Sequence, residues 1–471
     1  MRKVLLGVAL AATLAAAPAA LAKPFVVHSS LSRFVPNNLT ITQGDTVTHS
    51  TADTTPHNLA SVDLDENGER LFSSGAPELA AVRDVAGVAD LDPGAYRFLC
   101  TIHPNMTGTL TVEAGTPVPV EPPPVPAAPI PLANVPTVSS VTTFGGHLYA
   151  TSYGAGNVLR FPLLAGGALG PGEIYADGFS GPLGVSFAPD GTMFVSDSHP
   201  SMRPGRATAG RVWAVDGTSR AKSVVIDELP NGRHNTNGTA PHSGRLYIAN
   251  GNSTDDGVAG GDPEVYPWSG ALLSVPLGAR NLVPEDADVT VEATGMRNLY
   301  DVAFRPGTDE AWIPTNGPDE LDPYGEDTLN KVDVTGPAPD FGFPGCVYAA
   351  PPADPEVAQN PAVADTRPCD PAHAPPEALL GLHTSADGLA FGPDDGFWGG
   401  DLFIARFGNF FGDRVVGHDV IRVPIDANGR AGEPQLFLPE ALPLDVTFGP
   451  PGTGMYIADF GTGRITLVKA P

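Results

Sequence analysis

The stretch LGVSFAPDGTMFVSDS, residues 183–198, decides the fold. An alternating apolar strand runs into a Pro-Asp-Gly turn, and a second apolar strand leaves it and ends in small polar residues. Period-two apolarity bounded by turn residues marks a β-hairpin and not a helix. The same wording returns in GHLYATSYGAGNVLRF (146–161), HSGRLYIANGNSTDDG (242–257), YDVAFRPGTDEAWIPTNG (300–317), DGLAFGPDDGFWGGDLFIARFGN (387–409) and LDVTFGPPGTGMYIADFGTGRITLV (444–468). Six occurrences at this spacing predict six radial, four-stranded blades, a β-propeller over residues 137–471.

Upstream the pattern changes. LTITQGDTVTHS (39–50), YRFLC (96–100) and TGTLTVEA (107–114) read as short strands separated by turns such as Asp92-Pro93-Gly94. Residues 23–115 are therefore expected to form an all-β sandwich. The proline-dense TPVPVEPPPVPAAPIPLANVP (116–136) reads as an extended spacer rising about 3.1 Å per residue. Residues 1–22 have a basic start at Arg2-Lys3, an apolar centre and a small-residue end at Ala20-Leu21-Ala22, the form of a secretory signal. No other window approaches the roughly 20 apolar residues of a membrane span. An exported protein, periplasmic or extracellular and not inserted in a membrane, is expected.

Charge excludes one class of partner. The chain has 26 basic and 53 acidic residues; setting Arg2 and Lys3 aside leaves 24 against 53, a net −29. Phosphate recognition needs clustered Lys and Arg, so nucleic acid is not an expected partner.

The three cysteines are Cys100, Cys346 and Cys369. In an oxidising compartment an odd count leaves one thiol over. Cys346 and Cys369 share one irregular, proline-rich stretch and are the expected disulfide. Cys100 is the remaining thiol, and it stands in FLCTIHPNM (98–106) with His103 and Met106. His57, in TTPHN (54–58), supplies a second imidazole. Two His, one Cys thiolate and a weak axial Met make a blue-copper electron-transfer site.

Residues 25–113 resemble the plastocyanin-like cupredoxins, through GDTVT (44–48), TTPHN and the short C-x-x-H-x-x-M loop, which is most similar to that of amicyanin. The resemblance implies type 1 copper on His57, Cys100, His103 and Met106. His49 stands where relatives carry an aromatic residue; it is expected as a surface or packing residue and not as a further ligand.

In the propeller, LPNGRHNTNG (229–238) places His234 in a Gly/Asn-rich loop, GMRNLYDVAF (295–304) puts Arg297 and Asn298 before a strand, and TNGPDELDPYGEDTLNKVD (315–333) is an acidic loop. A loop His can take a hydroxyl proton, an Arg can fix an anion, and carbonyls beside carboxylates suit Ca²⁺. With FGFPGCVY (341–348), LHTSADGLAF (382–391) and GGDLFIARFGN (399–409), these segments resemble the soluble glucose and sorbosone dehydrogenases, six-bladed quinoproteins holding pyrroloquinoline quinone (PQQ) and Ca²⁺. The resemblance implies that His234 is the general base, that Arg297, Asn298 and Arg406 contact PQQ, and that the carbonyls of Gly317 and Pro318 bind Ca²⁺. A sugar or related alcohol would be the substrate, and a soluble or membrane-bound redox protein the onward acceptor. One departure is GNFFGDRVVGHDVIRV (408–423), where relatives carry a G-S-W-N-R-like stretch. A lactonase-like hydrolase and a propeller that binds without catalysis remain the alternatives.

Overall fold

The computed structural model describes residues 20–471 except 22–23, 31–32, 36, 52–55, 65–67, 79–81, 115–116, 119–125, 259–263, 320, 322, 350–355, 395, 410–415 and 441. The chain divides into two compact units, Met1–Pro122 and Pro123–Pro471. Most of the expected signal segment, residues 1–19, lies outside the described residues; Ala20–Leu21 pairs in parallel with Pro117–Val118. Strands dominate both units, with three short 3₁₀ turns and no α-helix among the described residues. Among the described residues no helix is long and apolar enough to cross a membrane.

The first unit is a sandwich of two four-stranded sheets. One orders Arg33–Val35, Pro24–Ser30, Thr46–Thr51 and Val82–Asp84; the other orders Asn38–Thr42, His103–Glu113, Gly94–Cys100 and Ala60–Ser61. Alternation explains the burial. Leu39 and Ile41 point inward from one strand, Phe98 and Cys100 from another, Leu110 and Val112 from a third, and all belong to one core with Val27, Phe34 and Val47. Phe34 meets Phe98 edge-on, with centroids 5.0 Å apart. Gly108 is required there, because a Cβ would lie 2.3 Å from the Phe98 ring and 2.4 Å from the Asn37 carbonyl oxygen.

The second unit is a six-bladed propeller. Four blades are simple four-stranded meanders over residues 138–177, 185–230, 236–293 and 386–439. The fourth blade spans 298–382; its first strand is split into Asn298–Leu299 and Ala303–Phe304, and it carries the Cys346-to-Cys369 excursion before its outermost strand, Ala378–Leu382. The sixth combines Pro443–Phe448, Met455–Asp459 and Arg464–Val468 with Ile130–Asn134, so strands from both ends of the unit complete one blade. The first strands of successive blades pack side by side, and the sixth meets the first to close the ring.

Ile130–Asn134 corrects the expected spacer of 116–136, since these five residues form a strand of the propeller. Its prolines hid it. Pro cannot donate to a ladder, but an outermost strand tolerates it, and the register slips by a bulge between Pro131 and Ala133. The Cys346–Cys369 disulfide is formed, with Cα atoms 4.7 Å apart, and Cys100 is free and buried.

Candidate functional site

Each unit holds one candidate site. In the sandwich, Gly94–Cys100 ends at Cys100, the next strand starts at His103, and His57 sits on an isolated bridge to Glu78. Cys100 Sγ lies 3.7 Å from His57 Nδ1 and 3.6 Å from His103 Nδ1, and the two Nδ1 atoms are 3.1 Å apart. The circle through these three atoms has a radius of about 2.0 Å, close to metal–imidazole and somewhat below metal–thiolate bond lengths of about 2.0–2.3 Å. The donor set and its spacing therefore fit one soft ion. Met106 is buried in the same core cluster as Cys100.

The loops carrying the donors are tied together by Asn58. Its Oδ1 accepts from Thr101 N (2.9 Å) and Thr101 Oγ1 (3.0 Å), and its Nδ2 donates to the Gly75 carbonyl at 2.7 Å. The neighbours of His57 and Cys100 are thus locked to each other, which fixes the loops that carry the donors. His49 is a buried packing residue. Its Nε2 meets Ser29 Oγ at 2.6 Å, its Nδ1 meets Ser74 Oγ at 3.3 Å, and its ring lies edge-on to Phe34.

In the propeller, the first strands of the blades start, and the second strands end, around one end of the axis. The repeat thereby gathers the small polar strand ends into a cavity of about 270 Å³. Tyr153, Phe407 and Phe460 follow the second strands of blades one, five and six; Asn237, Asn298, Tyr300, Asp387 and Leu444 lie on or beside first strands; Arg233, His234 and Asn235 come from the loop before blade three. Every blade contributes, and the lining joins aromatic rings to amides, as small-molecule sites do.

His234 is held in one tautomer. Its Nδ1 faces Asn252 Oδ1 at 2.7 Å and the Asn252 carbonyl oxygen at 3.2 Å. Asn252 Nδ2 is committed to the Thr254 carbonyl (2.7 Å) and Glu264 Oε1 (2.8 Å), so the amide oxygen must face the ring. Two acceptors at Nδ1 require a proton there, leaving Nε2 with its lone pair. Burial, and then the positive Arg297, push this imidazole well below its usual pKa, so it is neutral. Gly251 permits the packing, because a Cβ would lie 2.7 Å from His234 Cβ and 2.9 Å from Asn298 Oδ1.

The other expected cofactor contacts divide. Asn298 lines the cavity, accepting from Asn237 Nδ2 at 3.0 Å and donating to Asn316 Oδ1 at 2.6 Å. Arg297 does not line it. It is 3 % exposed and pairs with Asp255 and, at 3.2 Å, with Asp319; its Nε donates to the Asp255 carbonyl at 2.7 Å. Arg406 also points elsewhere, with Nε and Nη2 gripping both oxygens of Asp419 at 2.7 and 2.6 Å and Nη1 on the Leu380 carbonyl at 2.8 Å. The guanidinium that lines the cavity is Arg233, paired with Asp319 at 2.6 Å and Asp255 at 3.3 Å.

Gly317 and Pro318 line a smaller pocket of about 30 Å³ with Arg297, Glu326, Thr315, Thr328 and Asn330. Gly317 N donates to Asp327 Oδ1 at 2.9 Å. Burial, with Asp327 beside it, pushes Glu326 up to about 8. The Thr315, Thr328, Asn330 and Glu326 oxygens are of the kind a hard cation uses, but Met296, Phe341, Phe343, Val347, Tyr348 and the positive Arg297 share the same lining.

Sequence reading missed Arg233, Tyr153, Tyr300, Asp387, Phe407 and Phe460. The signal that finds the last two, and Tyr153, is the repeat itself. Aligning YATSY, FIARF and YIADF places Tyr153, Phe407 and Phe460 at one position, just past the second strand.

A cupredoxin-like domain model matches residues 3–112. No curated protein matches the chain. Among solved structures, the iodide form of a Trichoderma reesei carbohydrate-active enzyme of family AA12 aligns with a TM-score of 0.60 at 17 % identity, covering 75 % of this chain and 99 % of that one. The holo PQQ domain of Coprinopsis cinerea pyranose dehydrogenase aligns at 0.55 and 15 %, covering 72 % and 95 %. PQQ-bound aldose sugar dehydrogenase from Streptomyces coelicolor aligns at 0.51 and 17 %, covering 74 % and 99 %. At these identities the likeness is one of fold: a cupredoxin-like sandwich fused to a propeller shaped like those of the PQQ sugar dehydrogenases.

Proposed function

We propose that the chain is an exported oxidoreductase in which the propeller oxidises a sugar or related alcohol with PQQ and Ca²⁺, and the sandwich takes the electrons one at a time on type 1 copper. The observation that carries this reading is His234, a neutral imidazole with Nδ1–H fixed and Nε2 free in the axial cavity. In the proposed reaction Nε2 accepts the substrate hydroxyl proton, and the Asn252 carbonyl oxygens stabilise the resulting imidazolium through Nδ1–H.

The lining fits a flat polar ring system. Tyr153, Phe407 and Phe460 offer ring surfaces, Asn235, Asn237 and Asn298 offer amides, and Arg233, though paired with Asp319 and Asp255, lines the cavity where Arg297 and Arg406 do not. When bound, PQQ supplies a two-electron acceptor and copper a one-electron relay. Residues of this chain would hold the groups: His57, Cys100, His103 and Met106 the copper, Arg233 and Asn298 the quinone, and the Gly317 and Pro318 carbonyls with Glu326 the Ca²⁺. One tether raises the effective concentration of the two centres to the order of millimolar. A separate redox protein would then collect the electrons.

The test mixes copper-loaded full chain with PQQ, Ca²⁺ and a panel of aldoses and follows the blue thiolate-to-copper absorption. Bleaching on sugar addition supports the reading; persistent colour across the panel refutes it. The internal pairing of Arg297 and Arg406 favours a second reading, a propeller that binds a neutral ligand without a quinone. Absence of PQQ binding at micromolar concentration, with copper still loading, decides for that reading.

A further inference from the structure

The Tyr300 hydroxyl is buried and makes no hydrogen bond. An unpartnered buried polar group costs about 1–3 kcal/mol, and native structures hold few of them. Tyr300 is not a stray core residue, because it lines the axial cavity one blade on from His234. Asp387, on the next blade, lines it too. Its carboxyl oxygens meet Ser385 Oγ at 3.3 and 3.2 Å, and Asn316 Nδ2 only at 3.5 Å. Burial, with Asp327 and Asp445 nearby, raises the Asp387 carboxyl far above its usual pKa, so it keeps its proton. The Tyr300 phenol is raised too, by burial and then by Asp387. The wall thus presents a neutral phenol and a neutral acid, two groups that can each donate or accept.

We propose that Tyr300 Oη and the Asp387 carboxyl form an oxygen-binding subsite, which takes a hydroxyl of a neutral polyhydroxylated substrate other than the hydroxyl that gives its proton to His234. The inference rests on the sugar-oxidising reading and sharpens it: the substrate must bear at least two hydroxyls placed to reach both poles. A simple alcohol meets only His234.

The test is calorimetric titration of the full chain, with and without PQQ and Ca²⁺, using D-glucose and its monodeoxy analogues, on wild type and Tyr300→Phe. One neutral hydrogen bond is worth about a five- to tenfold change in affinity. Tyr300→Phe is expected to bind glucose that much more weakly, and to match wild type for the one deoxy analogue that lacks the hydroxyl held at this subsite. Asp387→Asn is expected to follow the same pattern. Because Tyr300→Phe removes an orphan hydroxyl, its urea midpoint should equal or exceed that of wild type. A lowered midpoint would reveal an internal partner and overturn the subsite. So would an unchanged affinity for glucose, or an equal loss with every analogue. If wild type binds glucose and Tyr300→Phe binds it alike, only the subsite falls; if wild type binds no sugar, the substrate reading falls with it.

Discussion

Asp445 closes the propeller and should make its stability fall as pH rises. It lies on the first strand of blade six, where its Oδ2 accepts from Val141 N of blade one at 2.8 Å and its Oδ1 from Val446 N at 2.7 Å. The carboxyl fits because position 388 is Gly; a Cβ there would lie 2.2 Å from Asp445 Oδ1. Burial pushes this acid up to about 7 from an ordinary 3.8, and Asp301, raised in the same way, feels its charge. A raised acid binds its proton more tightly folded than unfolded. Its contribution is therefore complete below the unfolded value near 4 and is lost as pH climbs through the folded value near 7. Three units at about 1.4 kcal/mol each give a loss of up to about 4 kcal/mol across that window.

Asp445→Asn removes the titration and keeps an acceptor. Urea unfolding of the full chain between pH 5 and 9 can be followed by tryptophan fluorescence, since Trp213, Trp268, Trp312 and Trp398 all lie in the propeller. Near pH 5 the variant should be no more stable than wild type, because its amide N–H₂ needs an acceptor the site does not supply. By pH 8 the difference should have moved in the variant's favour by up to about 3 kcal/mol, since roughly one of the three units is already lost at pH 5. Parallel stability curves across the range would refute the reasoning and show that Asp445 does not hold its proton in the folded chain.

Cys100→Ser should abolish the blue absorption, whereas Met106→Leu should retain it and raise the reduction potential, because an apolar axial neighbour favours the less charged copper; voltammetry and absorption spectra check both. His234→Asn should remove sugar-dependent bleaching while copper loading persists. In wild type the acid limb of the rate profile should lie below the ordinary histidine value, since burial and Arg297 hold the ring neutral and protonation, which silences the base, occurs only at lower pH. Gly108→Ala should lower the melting temperature of the sandwich through overpacking of about 1–3 kcal/mol against Phe98 and Asn37; an unchanged melt would contradict the packing described.

The sequence announces what is local and hides what is relational. Cys100, His103 and Met106 are legible because seven residues and one turn fix their spacing, and His57 because TPHN is a recognisable turn. The blades are legible because each hairpin repeats the same alternation. Nothing in GMRNLYDVAF shows that Asp255 and Asp319, 42 and 22 residues away, pair with the Arg297 guanidinium. The same holds for Arg406: its partner Asp419 sits on the neighbouring strand, and in a chain with 53 acids many arginines meet a carboxylate. In so acidic a protein, a cation's presence in a motif is weak evidence of a ligand contact. The groups that keep their capacity to bind are those whose internal partners have been withheld, such as the Nε2 of His234 and the hydroxyl of Tyr300.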